Sequence, residues 1–413
     1  MLIIQFAGAS GFSVPESYTA GWSKLPSFLI NIVFACLFLG VTIPKISALW
    51  KSAGIQLCYG QIVAWGQYVV GIGVVLAAAA IWGSYFGLPE AFGGVLPVGF
   101  EGGHGTAAGM GPVFAERGWA AGKDFALASA TGGIICAIVV GMMLVNWAVR
   151  RGHVVKRTES AELIEDNTIC VIPIDKRRSA GKLTISSDAI ETFSFHIVIV
   201  GIAIFLGVLI KEGLILIQSF VPYLEKHSLL SSFPLFPLCM IGGLIVQKLD
   251  DLFDKSKLID LGLTKRIQNS ALDFLVVAAI ATIKWKVIVA GIVPLLILIG
   301  IGIAWNVFCV LFLARRIFND AWFERAIAEM GQSMGVTATG LLLLRVVDPD
   351  YETPAADAFA CKQLLHEPFM GGGLWTSMAI PLIFIWGGLP VFLIALGAVF
   401  LWLIAAFFVS RKL

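Results

Sequence analysis

Two short stretches of this chain combine glycine with threonine in a pattern that could hold an ion and a carboxylate together. One is Gly102-Gly103-His104-Gly105-Thr106-Ala107-Ala108-Gly109; the other is Gly335-Val336-Thr337-Ala338-Thr339-Gly340. Glycine permits sharp reversal and close backbone approach. The hydroxyls of Thr106, Thr337 and Thr339, with carbonyls freed where a helix is interrupted, are oxygen ligands that suit sodium. Helix N-termini opening at the same place would offer free N–H groups and a positive dipole end to a carboxylate. Small residues also let membrane helices pack closely, and one such cluster would say no more than that. Two matched clusters point to a shared site.

Other candidates lie in apolar surroundings. Asp273 is the only acidic residue between Asp260 and Asp320, and an ionisable group inside a membrane span is a functional candidate by default. Its alternative is a charge at headgroup level, beside Arg266 and Gln268. Asn31, Gln67 and Asn306 are neutral and could either face a ligand or join helices by hydrogen bonds. His104 sits at the first cluster without the Cys, His or Asp company of a metal centre, so it reads as a residue that fixes the loop. Glu101 precedes the glycines and faces either a cavity or the outer surface. Arg345 follows the second cluster, where it could neutralise an anion or anchor the chain at the cytoplasmic side.

These residues need elements to hold them, and the composition says which. Hydrophobic residues make up 58% of the chain and charged ones 14%, against about a quarter charged in soluble domains. Phe125–Ala148 and Val287–Ala314 carry no Lys, Arg, Asp or Glu. Each can cross a hydrocarbon core of roughly 30 Å as a helix, which takes about 20 residues; barrel strands would be shorter and alternating. The expected fold is an all-α integral membrane protein. No basic stripe suggests nucleic acid, and the seven cysteines show neither disulfide nor metal spacing.

Apolar runs place spans near 27–45, 53–86, 125–148, 192–218, 230–247, 270–286, 287–313, 367–387 and 389–410, with interrupted stretches at 92–116 and 319–346. A polar segment, 150–191, reads as a cytoplasmic linker, and Asp188 with Glu191 as a capping pair for the helix starting near Phe193. With Lys45 and Lys51 inside and both interrupted stretches re-entrant, most basic residues fall inside, among them Arg150, Lys176, Lys248, Arg266, Arg315, Arg325, Arg345 and Lys362. That is the direction of the positive-inside rule.

The order of elements then repeats with opposite orientation. Gln67 corresponds to Asn306, and Asn31 to Asp273, each before its interrupted stretch. An inverted repeat of this kind marks many secondary transporters. The expected organisation is a first repeat over 1–149, the linker at 150–191, a second repeat over 192–388 and an additional C-terminal helix at 389–413. The second repeat has two spans before its Asp273 helix that the first lacks, so the chain is expected to be short by about two N-terminal helices.

Phe100-Glu101-Gly102-Gly103-His104-Gly105-Thr106 resembles the Gly-Gly-His-Gly-Thr signature of the bacterial sodium/glutamate symporter family (glutamate:sodium symporters). Residues 335–340 look like that family's second loop, with its Gly-x-Thr-x-Thr pattern, and Gln67 followed by Gly71, Ile72 and Gly73 matches its helix before the first loop. The resemblance implies two inverted five-helix repeats, re-entrant loops meeting near mid-membrane, and sodium-driven glutamate uptake. It also implies a homodimer in the bacterial inner membrane, with a transport domain moving against a scaffold and sodium as coupling ion in place of any cofactor. The chain departs from the family at Leu341–Asp348, where Arg345 replaces an uncharged residue. The alternatives are carriage of another organic anion, an inactive short family member, an ion channel or a membrane enzyme; no nucleophile–base pair supports the last.

Overall fold

The computed structural model describes residues 16–41, 46–155, 179–186, 188–228, 230–254, 256–349 and 351–411. Lys45, Lys176 and most of the expected linker lie outside the described residues. Within them, all regular structure is helical, apart from an isolated bridge between Tyr85 and Leu88.

Side-chain caps mark the starts of two of the helices. Helix α1 spans Glu16–Ala35 and the long α2 spans Ile46–Trp82. After a 3-10 turn at Glu90–Gly94 come the short helices α3 (Val95–Phe100), α4 (Gly103–Gly109) and α5 (Gly111–Glu116). Helix α6, Ala121–Arg151, carries Asp124 in its first turn, Arg150 and Arg151 in its last, and a left-handed Gly152 beyond, all favourable to the helix dipole and C-terminal carbonyls. Helix α7, Thr192–Ser219, is capped by Glu191, which accepts from the Ser194 N–H at 2.6 Å. Glu191 is thus the N-cap itself, and Asp188 lies in the turn before it, where Ser186 hydrogen bonds to it.

Helices α8 (Pro222–His227) and α9 (Leu235–Phe253) follow. Asp260 caps α10, Leu261–Ala281, by accepting from Leu263 N–H at 2.9 Å. That cap starts the helix well before the expected 270, because a polar first turn is invisible to an apolar-run reading. The span expected over 287–313 is built from α11 (Trp285–Ala290), α12 (Ile292–Phe308) and a π turn at Cys309–Leu313, with α13 (Ala314–Ile317) after it. Then come α14 (Trp322–Met334), α15 (Thr337–Val347), α16 (Ala355–His366), α17 (Leu374–Trp386) and α18 (Gly388–Ser410).

Among the described residues, five helices are long and apolar enough to cross a membrane: Ala53–Trp82 of α2, α6, α7, Ile292–Ile317 and α18. The best apolar window of α2 is 61% buried, against 22% for α7 and 17% for α18. So α2 is central, and α7 and α18 turn apolar side chains such as Phe205, Leu209, Phe400 and Leu401 outward, as lipid-facing helices do. The protein is a multi-pass membrane protein.

The helices pack in two groups. In one, α1, α7, α9 and α10 pack together. There α7 and α9 approach so closely that a Cβ at Gly242 would overlap the Ala203 carbonyl oxygen, a contact only small residues allow. In the other, α2 packs against α16 and α18, while α6 packs against α3, α4, α14 and α15. Helix α4 also contacts α1 and α10, which places the first glycine cluster where the groups meet.

Candidate functional site

Three helix breaks converge on one cavity. The first lies at Glu101–Gly102, between α3 and α4. Gly103 there has φ +64°, a left-handed conformation that glycine adopts without a Cβ penalty. The second lies between α14 and α15, where Gly335 (φ −139°) and Val336 (φ −145°) are not helical. A Cβ built on Gly103 would sit 3.5 Å from Val336 Cγ1 and 3.6 Å from the Gly335 carbonyl oxygen. The two glycine clusters therefore meet. The third break, unexpected from sequence, is the turn from Glu367 to Gly373 between α16 and α17. Gly372, at φ +87°, presses on Thr106: a Cβ there would overlap Thr106 Oγ1. Thr376 Oγ1 ties this turn down by donating to the Met370 carbonyl.

The cavity between the helix groups has a volume of about 850 Å³. Its wall includes Ile30 and Phe34 of α1, Lys265 and Asp273 of α10, and all three breaks. Of the residues singled out in the sequence, Glu101, Gly102, Gly103, His104, Gly105, Thr106, Gly335, Thr337 and Asp273 line it. His104 is held by its Nε2, which lies 2.9 Å from Thr131 Oγ1. Because that hydroxyl donates to the Leu127 carbonyl, His104 Nε2 carries the proton and donates. The Thr337 hydroxyl donates to Glu367 Oε1 at 2.7 Å and accepts from Gln363 Nε2 at 2.7 Å. Thr106 Oγ1 is buried and has no hydrogen-bond partner. At the start of α15 the N–H groups of Thr337 and Ala338, first in the helix, stand at the cavity wall without an intrahelical acceptor.

Other expected site residues do not reach the cavity. Thr339 is buried behind the second break, its Oγ1 3.1 Å from where a Gly335 Cβ would sit. Asn31 donates to the Ser27 carbonyl one turn back on α1. Gln67 and Asn306 both turn to Ser333. Gln67 Nε2 donates to its carbonyl at 2.7 Å, and its hydroxyl donates to Asn306 Oδ1 at 2.6 Å. The two amides that the sequence pairs thus clamp one residue just before the second break. Arg345 is exposed on the last turn of α15, where its charge complements the helix dipole.

Behind the breaks runs a buried polar network that apolar-run reading passes over. Lys362, expected at the cytoplasmic side, lies instead in the interior: its Nζ donates to Glu329 Oε1 at 2.6 Å, Gln363 Oε1 at 2.9 Å and Gln332 Oε1 at 3.1 Å. Gln332 Nε2 in turn donates to Glu101 Oε2 at 3.0 Å, and His366 Nε2 lies 3.3 Å from the same oxygen. A signal was available in the spacing. Lys362, Gln363, His366 and Glu367 recur at i, i+1, i+4 and i+5, so they share one helix face. Among the described residues no cluster of His, Cys, Asp and Glu could hold a metal by such ligands.

An all-helical membrane protein whose broken helices meet at a cavity has the form of a transporter. Residues 22–352 match the sodium/glutamate symporter family, and the chain belongs to that family. Among curated proteins and among solved structures, no match was found. Helices α16 to α18 lie beyond the matched residues, and with them Lys362, His366 and Glu367.

Proposed function

We propose that this protein is a sodium-coupled symporter of glutamate, or of a similar small anionic amino acid or carboxylate, in the bacterial inner membrane. The observation that carries the reading is the meeting of the Gly103 and Val336 breaks at a cavity between two helix groups. On this reading the breaks are the tips of two re-entrant hairpins, one from each half of an inverted repeat. Movement of the group holding the breaks against α1, α7, α9 and α10 exposes the cavity to each side in turn, the elevator form of alternating access. A homodimer would hold α1, α7, α9 and α10 still.

The parts have separate tasks. The free N–H groups at the start of α15 receive a substrate carboxylate, helped by the helix dipole. Thr106 and Thr337, with carbonyls at the breaks, face the coupling ion; Thr339 supports the second break from behind. Charge supplies the reason for coupling. The acids of the wall are Glu101, Asp273 and Glu367 and its bases are Lys265 and His104; acids outnumber bases, so such a cavity favours an anion only when cations enter with it.

The test is uptake of labelled glutamate into proteoliposomes. An inward sodium gradient should drive accumulation above equilibrium, and excess unlabelled glutamate inside should accelerate entry of label. Uptake indifferent to sodium would refute the coupling, and the absence of such exchange would favour a pore.

A further inference from the structure

We propose that Glu101 is a ligand of the coupling cation: its Oε1, together with Thr106 Oγ1, forms an oxygen site for a dehydrated monovalent cation of sodium's class. The inference rests on the proposed coupling and names a side-chain ligand that the glycine–threonine pattern does not contain.

Donor-only groups fix the orientation of everything they touch. Trp65 Nε1 donates to Gln61 Oε1 at 3.0 Å, so the amide nitrogen of Gln61 is the atom 3.3 Å from His366 Nδ1. That ring nitrogen accepts, so the His366 proton sits on Nε2 and is donated to Glu101 Oε2 at 3.3 Å. From the other side, Lys362 donates to Gln332 Oε1, which turns the Gln332 amide nitrogen toward the same Glu101 oxygen at 3.0 Å. Two independent relays thus end on Oε2 as donors. They hold Oε2 as an acceptor and fix Glu101 in one rotamer.

The other oxygen has nothing. Glu101 is 5% exposed and, among the described residues, its Oε1 has no partner; Thr106 is 1% exposed and its Oγ1 has none among them either. Both residues line the cavity. A buried carboxylate oxygen left without a donor is costly. Lys362 is already shared among Glu329, Gln332 and Gln363, so it does not offset that charge by direct contact. A carboxyl oxygen and a hydroxyl oxygen, both buried and unpartnered in residues of the cavity wall, fit a small cation that sheds its water on entering. Thr337 is poorer by comparison, because its hydroxyl already donates to Glu367 and accepts from Gln363.

The test is thermal unfolding of the purified full chain in sodium chloride against choline chloride at equal ionic strength, without substrate. Sodium alone should stabilise the parent protein. Glu101→Gln can keep its amide oxygen toward His366 and Gln332 while presenting an NH2 to the cavity, so its stability in choline should be close to the parent's. Its half-saturating sodium concentration should rise at least tenfold. If Glu101→Gln does not fold, Thr106→Val against Thr106→Ser decides: the serine variant should keep the sodium response and the valine variant lose at least tenfold. Parent-like sodium response in Glu101→Gln and Thr106→Val would overturn this assignment alone. In a second series with glutamate added, loss of its stabilisation in Glu101→Gln while the sodium response stays intact would overturn it too, placing Glu101 against the substrate's ammonium. No sodium response in the parent would overturn both this site and the coupling.

Discussion

Lys362 Nζ and Glu329 Oε1 are 2.6 Å apart, and neither side chain has any exposed surface. The pair joins α16 to α14, so the helix that bears the third break is locked to the one that leads into the second. Gln56 Nε2 adds a donor to the other Glu329 oxygen at 3.0 Å. A buried pair of this kind gains little over an apolar pair but is costly to break from one side, by about 3–5 kcal/mol.

Lys362→Met should therefore lower stability by about that amount, measured as thermal or denaturant unfolding in detergent. Lys362→Met combined with Glu329→Leu should recover most of the loss. A single variant as stable as the parent would show that the charge is not held unpaired.

The clamp on Ser333 makes a different prediction. Asn306→Leu leaves the Ser333 hydroxyl without its acceptor and should cost about 1–3 kcal/mol. Asn306 lies outside the cavity wall, so the sodium concentration for half-maximal uptake should move less than twofold in protein that remains folded. A tenfold change would make Asn306 a ligand rather than a support.

Thr337→Val removes a hydroxyl that stands at the cavity and donates to Glu367. Sodium dependence of uptake should weaken several-fold, while the unfolding temperature shifts little because Gln363 still donates to Glu367 at 3.1 Å. Thr337→Ser should behave like the parent. Unchanged sodium dependence in the valine variant would remove Thr337 from the ion pathway.

Arg345→Gln should leave the concentration of glutamate for half-maximal uptake within twofold of the parent, since Arg345 is exposed and away from the cavity. Asp273→Asn, at the wall, should raise the sodium requirement several-fold. The reverse pattern would restore Arg345 as the anion partner.

Long charge-free runs and paired glycine–threonine clusters make five long spans and two of the breaks legible in the amino-acid sequence, whereas in the run expected over 27–45 the helix ends at Ala35 and in that over 367–387 it starts at Leu374. Apolar runs show a helix only where it faces lipid or a uniform core. Helix α16 escapes such a reading because its buried face carries Lys362, Gln363 and His366, whose burial depends on partners 30 or more residues away: Glu329 and Gln332 on α14, and Glu101. For the same reason Lys362 reads from sequence as a topology anchor. Gln67 and Asn306 are legible as a pair, but not their common target, because Ser333 meets Gln67 through its backbone carbonyl and Asn306 through an ordinary hydroxyl. Glu101 is adjacent to the glycine signature in sequence; its importance comes from one oxygen being held and the other free, which only the fold decides.

The shared site depends most on the contact between the first two breaks, and a short cross-link measures it directly. In a background with the native cysteines replaced by serine, Gly103→Cys and Val336→Cys are combined, with a protease site inserted after Glu165. The built Gly103 Cβ lies 3.5 Å from Val336 Cγ1, within reach of a short bifunctional thiol reagent. The two fragments should stay joined on a denaturing gel after cleavage, in the double variant only. Separate fragments, with each single cysteine still open to thiol labelling, would show that the breaks do not meet and would contradict the shared site.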